Sequence, residues 1–272
     1  MPKQNDSQGG TKNRYQSLLE KIFFDHYKKG AKEVVFDRTE LVSAARILGI
    51  EMAKNPGDVI YSVRYRAPLP ATILATQPKG FEWTIEGVGR ARYAFRLGKT
   101  SRIVPNPNLV KIKVPDATPE IISAYALSDE QALLAIVRYN RLIDVFLGIA
   151  SYSLQSHLRT SVKGIGQIEI DEVYVGVDRS GRQFVVPVQA KGGNDKIGVI
   201  QAKQDIACCQ AKFPELICRA ISAQFIEKDL IALFELTVED GIIRIVDEAH
   251  YRLVPGKEIS ASDLAGYRQR KP

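Results

Sequence analysis

The chain has 272 residues, 45% of them hydrophobic, which is enough for one large domain or two modest ones with real cores. No apolar run approaches the ~18 residues of a membrane-spanning helix, and the start, "MPKQNDSQGGTKNRYQ", lacks the apolar segment of a signal peptide. The composition therefore argues against a membrane protein and for a cytoplasmic one. Cys208, Cys209 and Cys218 have no zinc-like spacing to His26, His157 and His250, and are expected to be buried free thiols.

The net charge of +7 is uneven. Residues 1–115 hold 20 Lys and Arg against 10 Asp and Glu, whereas residues 116–272 hold 18 against 21. A basic half joined to a slightly acidic half suggests a polyanion-binding module attached to one with other work. Ordinary solubility charge is the alternative.

Residues 1–13 are polar and aperiodic, and are expected to be a loose tail. Next, "NRYQSLLEKIFFDHYKKG" places Leu18, Leu19, Ile22, Phe23 and Tyr27 at helical spacing as far as Gly30. The apolar "EVVF" follows, and then "DRTELVSAARILGI" predicts a second helix with Leu41, Ala44, Ala45 and Leu48 inward, ended by Gly49. In "NPGDVIYSVRYRA", Asn55 and Pro56 suit the first positions of a third helix, with Arg64 and Arg66 on or beside its exposed side. The runs Phe81 to Glu86 and Arg90 to Leu97 flank Gly87-Val88-Gly89 as a hairpin, with Arg90 and Arg92 on the return strand.

Three helices and a hairpin in a basic segment resemble a winged helix-turn-helix, whose third helix enters the major groove while the wing touches backbone. A small α+β domain with merely solvated arginines is the other reading. The segment "SRIVPNPNLVKIKVPDATPE" has four prolines and no helical period, so the domain boundary is expected there, dividing residues 14–115 from 116–272.

In the second part, Ser128 to Gln131 fits a capping box, and Leu133, Leu134, Val137, Leu142, Val145 and Phe146 give a helix face running to Gly148. A strand is expected from Tyr152 to Val162, followed by a hairpin within "IEIDEVYVGVDRSGRQFVVPVQAKGG". A helix is then expected around Phe213 to Phe225, and strands in "LIALFELTV" and "GIIRIV" about the Asp240-Gly241 turn. The order is helix, three strands, helix, strand, with a further strand beyond.

The hairpin carries the chemistry. A three-residue loop, Arg179-Ser180-Gly181, with Gly181 left-handed, sets Asp171 opposite Gln189 and Glu169 opposite Lys191. Side chains alternate along strands, so those four share a face, while Glu172 lies on the other and reads as structural. Two carboxylates and an amide oxygen are hard ligands suited to Mg²⁺. A neighbouring lysine can position water or stabilise charge on a phosphoryl centre. A polar sheet end with surface ion pairs is the bland alternative. His157 and Arg159, on the preceding strand, could contact phosphate, though a plain polar role fits them better. "QAK" recurs at Gln201 and Gln210; the copy at Gln201 and Lys203, after "KIGVI", is a reserve candidate if that run is a strand.

On these residues the second part resembles the PD-(D/E)XK nuclease superfamily, whose core has the order αβββαβ in a mixed α/β sheet. The resemblance implies that Asp171 matches the acid of the second strand, Gln189 the acidic position of the third and Lys191 its lysine. Glu130, on the helix before the sheet, would match an accessory acid of some members; Glu169, on the same strand face as Asp171, is a further candidate metal contact from the hairpin register. Gln189 departs from the usual acid and removes a negative charge. With the basic first part, the whole looks most like a type II restriction endonuclease. That implies a Mg²⁺-dependent homodimer cutting double-stranded DNA at a short specific sequence. A winged-helix regulator with an inactive nuclease-like domain, and a structure- or damage-directed repair nuclease, are the competing expectations.

Overall fold

A computed structural model describes residues 7–52, 56–57, 59–60, 69–99, 103–125, 129–192, 197–239 and 241–269. Arg64 and Arg66, with Asn55, Ser128 and Asp240, lie outside the described residues. The protein is mixed α/β and forms two compact units. The first comprises residues 1–100 with 161–167, and the second residues 101–160 with 168–272. The division thus falls at Thr100, ahead of the proline-rich segment where the sequence suggests it.

In the first unit, α1 (Ser7–His26), β1 (Glu33–Asp37), α2 (Arg38–Leu48), α3 (Ala71–Leu74), β2 (Phe81–Gly89) and β3 (Arg92–Lys99) follow in order. The first helix starts within the expected tail. Leu18, Leu19, Ile22 and Phe23 of α1 pack with Leu41, Ala44 and Ala45 of α2, as their spacing predicts, whereas Leu48, expected inward, is exposed at the end of α2. "EVVF" is an outer strand of a three-stranded sheet, β1-β3-β2, antiparallel throughout. Phe23 meets both Trp83 and Phe95 edge-on at 5.1 Å, clamping α1 to the sheet. The hairpin turn is displaced from Gly87-Gly89 to Arg90-Ala91: β2 runs through the glycines with a register shift, and Ala91 takes φ 57°. A bulge absorbs the extra residue that a tight glycine turn would have used.

In the second unit, β4 (Lys111–Pro115), α4 (Glu120–Tyr125), α5 (Glu130–Tyr139) and α6 (Leu142–Leu147) lead to β5 (Ala150–Val162), β6 (Gly166–Val177) and β7 (Gln183–Lys191). Then come α7 (Val199–Lys212), β8 (Ile217–Cys218), β9 (Ala220–Glu227), β10 (Leu230–Glu239), β11 (Ile242–Val254) and α8 (Ala261–Arg268). The sheet order is β4-β11-β10-β9-β7-β6-β5, with β8 beside β7. It is mixed: β4 with β11 and β7 with β9 are parallel, whereas β9-β10, β10-β11 and β6-β7 are antiparallel.

One sheet face packs Val186, Val188, Ala190, Ile221 and Leu233 against Leu133, Val137, Leu142 and Ile143 of α5 and α6. The other sets Ala220, Ala232 and Phe234 against Ala202 and Ile206 of α7. No described helix is long and apolar enough to cross a membrane. Cys208 and Cys209 are buried free thiols, and Cys218 is free and half-buried.

Four expectations for this unit need correction. The proline-rich segment contains β4, because its prolines flank the alternating "KIKV" rather than interrupt it, and Pro115 ends an outer strand where its missing N–H is harmless. The helix before β5 is broken: Asn140 bonds back to the Ile136 carbonyl, and Arg141 takes φ 49°. The helix expected around Phe213 to Phe225 lies instead at Val199–Lys212. Val199, Ala202 and Ile206 supply its period, Pro214 cannot continue it, and the following apolar residues alternate as β9. The described part of "KIGVI", Ile197 to Ile200, accordingly leads into and begins this helix, and Gln201 and Lys203 are helical.

Candidate functional site

The β6-β7 hairpin is built as its loop dictates. Gly181 takes φ 80°, the Asp178 carbonyl accepts from Gly181 N–H at 3.0 Å, and the Asp178 carboxylate accepts from the Ser180 and Arg182 amides at 2.8 and 3.0 Å. This pins the register from Val177 opposite Gln183 to Glu172 opposite Val188. Beyond Val188 the pairing of β7 passes to β9, as far as Lys191 opposite Gln224. On the β6 side the next bond is made by a side chain: Asp171 Oδ2 accepts the Ala190 N–H at 3.0 Å.

Asp171, Gln189 and Lys191 thus gather where β6 leaves β7. Alternation turns Val188 and Ala190 to α5 and α6, and sends Gln189 and Lys191 to the face carrying α7. Gln189 is 1% exposed. Its amide nitrogen donates to Gln201 Oε1 of α7, and Ser222 Oγ donates to its Oε1 at 3.4 Å. Lys191 Nζ meets Glu130 Oε1 at 2.7 Å. Glu130 is there because Asp129 caps α5, accepting from Ala132 N–H at 2.9 Å, which starts the helix beside the end of β7. Burial pushes the Asp171 carboxyl up, against the opposing pull of the Ala190 N–H and the Lys191 charge.

Glu169 is not opposite Lys191. It pairs with Arg159 at 3.1 Å and His157 at 3.5 Å, both on β5, because the ladder that would have aligned it with Lys191 ends at Val188. Glu172, fully buried on the other face, accepts from Arg138 Nε at 3.0 Å and Nη2 at 2.6 Å and from Ser153 Oγ at 2.6 Å, a structural arrangement. In the first unit, Arg90 is exposed in the β2-β3 turn. Arg92 lies 3.4 Å from Asp37, and Arg96 pairs with Glu33 and Glu86, so acids offset part of that strand's charge.

Two residues of α7 join the site without having been singled out as acting there together. Gln201 bonds to Gln189, and Asp205, one helical turn on, is 2% exposed. Burial, and then the Asp171 charge, push the Asp205 carboxyl well above the usual range, and its Oδ1 has no hydrogen-bond partner among the described residues. The signal that would have found the pair is their four-residue spacing, visible once α7 is placed correctly. Among the described residues no three His, Cys, Asp or Glu side chains group closely enough to hold a metal by themselves. The oxygens present are the carboxylate of Asp171, the amide of Gln189 and the unsatisfied Asp205, a hard donor set whose chemistry suits Mg²⁺ completed by water.

Searches of protein-family models, curated proteins and solved structures find no match for this chain.

Proposed function

We propose that the protein is a cytoplasmic, Mg²⁺-dependent endonuclease that hydrolyses duplex DNA at a short specific sequence. It would act as a homodimer, since two strands must be cut. The observation that carries this reading is the convergence of Asp171, Gln189 and Lys191 at the parting ends of two strands, with Glu130 held against the lysine. The order α5/α6, β5, β6, β7, α7, β9, with the two-residue β8 between the last two, supports it, because it resembles the helix-three strands-helix-strand order of a PD-(D/E)XK core. In the first unit, the order α1, β1, α2 and then the β2-β3 hairpin supports the winged-helix reading, in which Arg90 and Arg92 reach DNA backbone; Arg64 and Arg66, outside the described residues, are the further DNA contacts of that reading.

In this mechanism Asp171 and Gln189 present oxygens to the metal, which when bound supplies Lewis acidity toward the scissile phosphate. Lys191 places its ammonium group beside the reacting phosphodiester, orienting the attacking water and offsetting charge as the phosphorane-like state develops. Glu130 fixes the direction of that ammonium group. The packed strands and α7 keep the group positions set before substrate arrives, so little reorganisation is needed at reaction.

A second reading, a DNA-binding regulator with an inactive nuclease-like unit, draws on the neutral Gln189, which lacks the negative charge of the usual acid. Incubating a long defined DNA with and without Mg²⁺ and sequencing the ends separates the readings. Mg²⁺-dependent ends at one recurring sequence are expected. Binding without cleavage favours the regulator, and scattered or damage-dependent ends favour a repair nuclease.

A further inference from the structure

The roles above leave one buried acid of the site unused. Asp205 is 2% exposed on α7, with Oδ1 unpartnered among the described residues. Burying a carboxyl oxygen without a donor is costly, and such groups are scarce unless something else meets them. Its direction follows from the helix. Gln201, four residues earlier, sends its side chain to Gln189, so the same stripe of α7 carries Asp205 along β7. Asp171 and Lys191 both act electrostatically on it.

The charges of the cluster divide in a simple way. Glu130 answers Lys191 at 2.7 Å. Asp171 alone would leave a divalent cation half neutralised, because Gln189 contributes dipole and no charge. Asp205 is the remaining acid.

We propose that Asp205 supplies, from α7, the second carboxylate of the metal site, in place of the charge that Gln189 lacks on β7. This rests on the nuclease reading and gives it a ligand from an element outside the strand motif. Gln189 then has two tasks: its oxygen faces the cation, while its NH₂ group holds Gln201 and so fixes the rotation of α7 that presents Asp205.

The test is Mn²⁺ binding to the full chain without DNA, followed by the loss of the free-ion paramagnetic resonance signal, with thermal melts to verify folding. Asp205→Asn should weaken Mn²⁺ binding at least about tenfold, because affinity for hard cations follows ligand charge. Gln189→Glu combined with Asp205→Asn should recover most of the loss by moving the acid to the strand. If Asp205→Asn does not fold, Asp205→Ser, which also removes the charge, should show the same loss and decides the matter. If Asp205→Asn binds like the parent while Asp171→Asn does not, the role given to Asp205 is wrong and the nuclease reading survives. Failure of the folded double variant to recover binding also overturns it. A parent that takes up no Mn²⁺ removes both.

Discussion

Lys191 and Gln189 are two residues apart on one strand, yet their proposed tasks separate cleanly in kinetics. Lys191→Ala should slow turnover by about 10²–10³-fold with little change in the Mg²⁺ concentration required, since its charge acts on water and phosphate. Asp171→Asn should nearly abolish cleavage while duplex binding, measured by anisotropy, is retained. Gln189→Ala should raise the Mg²⁺ requirement, whereas Gln189→Glu should lower it. If the Lys191 variant cuts like the parent, the site is misplaced. On the opposite face, Arg138→Ala would strand Glu172, which is fully buried. Losing a partner of a buried charge costs about 3–5 kcal/mol; with Arg138 46% exposed, a loss of about 3 kcal/mol is expected from that range in urea unfolding. A loss below about 1 kcal/mol, the scale of a surface pair, would show that Glu172 is otherwise satisfied.

At the level of elements, α8 is fastened to β4 by few groups, and one of them titrates. The Ser260 hydroxyl, with its N–H and then Lys113, holds the Asp263 carboxyl down at about 2. A depressed acid stabilises the fold above its unfolded value of roughly 4 and loses that contribution as pH falls through its folded value. The parent should therefore lose melting temperature between those limits more steeply than Asp263→Asn. Equal slopes would mean that the cap holds equally well when protonated. Elements differed in how plainly they could be read. The β6-β7 register was legible because one turn, Asp178 to Gly181, fixes it locally. Helix α7 was missed because "KIGVI" has the composition of a strand and the apolar run after Phe213 carries no local mark of its pairing. Asp205 was hidden for a deeper reason: an acid's burial depends on what packs over it, and β7 and β9 come from other parts of the chain. Glu169 shows the converse, since a register right up to Val188 does not say where the ladder stops.

For the whole molecule, the excess of 18 Lys and Arg over 10 Asp and Glu in the first unit, residues 1–100 with 161–167, should dominate DNA affinity. If six or more phosphates are contacted, affinity should fall about 10³-fold or more between roughly 50 and 200 mM salt. Arg90→Ala should reduce the slope of log affinity against log salt by about 1. Arg92→Ala should do less, because Asp37 already lies 3.4 Å from that guanidinium. A duplex affinity indifferent to salt would rule out the basic unit as the DNA-holding part.

Strand β4 pairs its Lys111–Pro115 with His250–Val254 of β11, and that pairing has a consequence during synthesis. Its partner leaves the ribosome long after β4 does; at ~5–20 residues per second the delay is on the order of ten seconds. Until then Ile112 and Val114, which later pack beside Tyr251 and Leu253, have no ladder to join. The nascent chain thus carries a waiting strand through about half of its elongation, and the lysines that alternate with those two apolar residues keep it hydrated and discourage premature pairing with a neighbouring nascent chain.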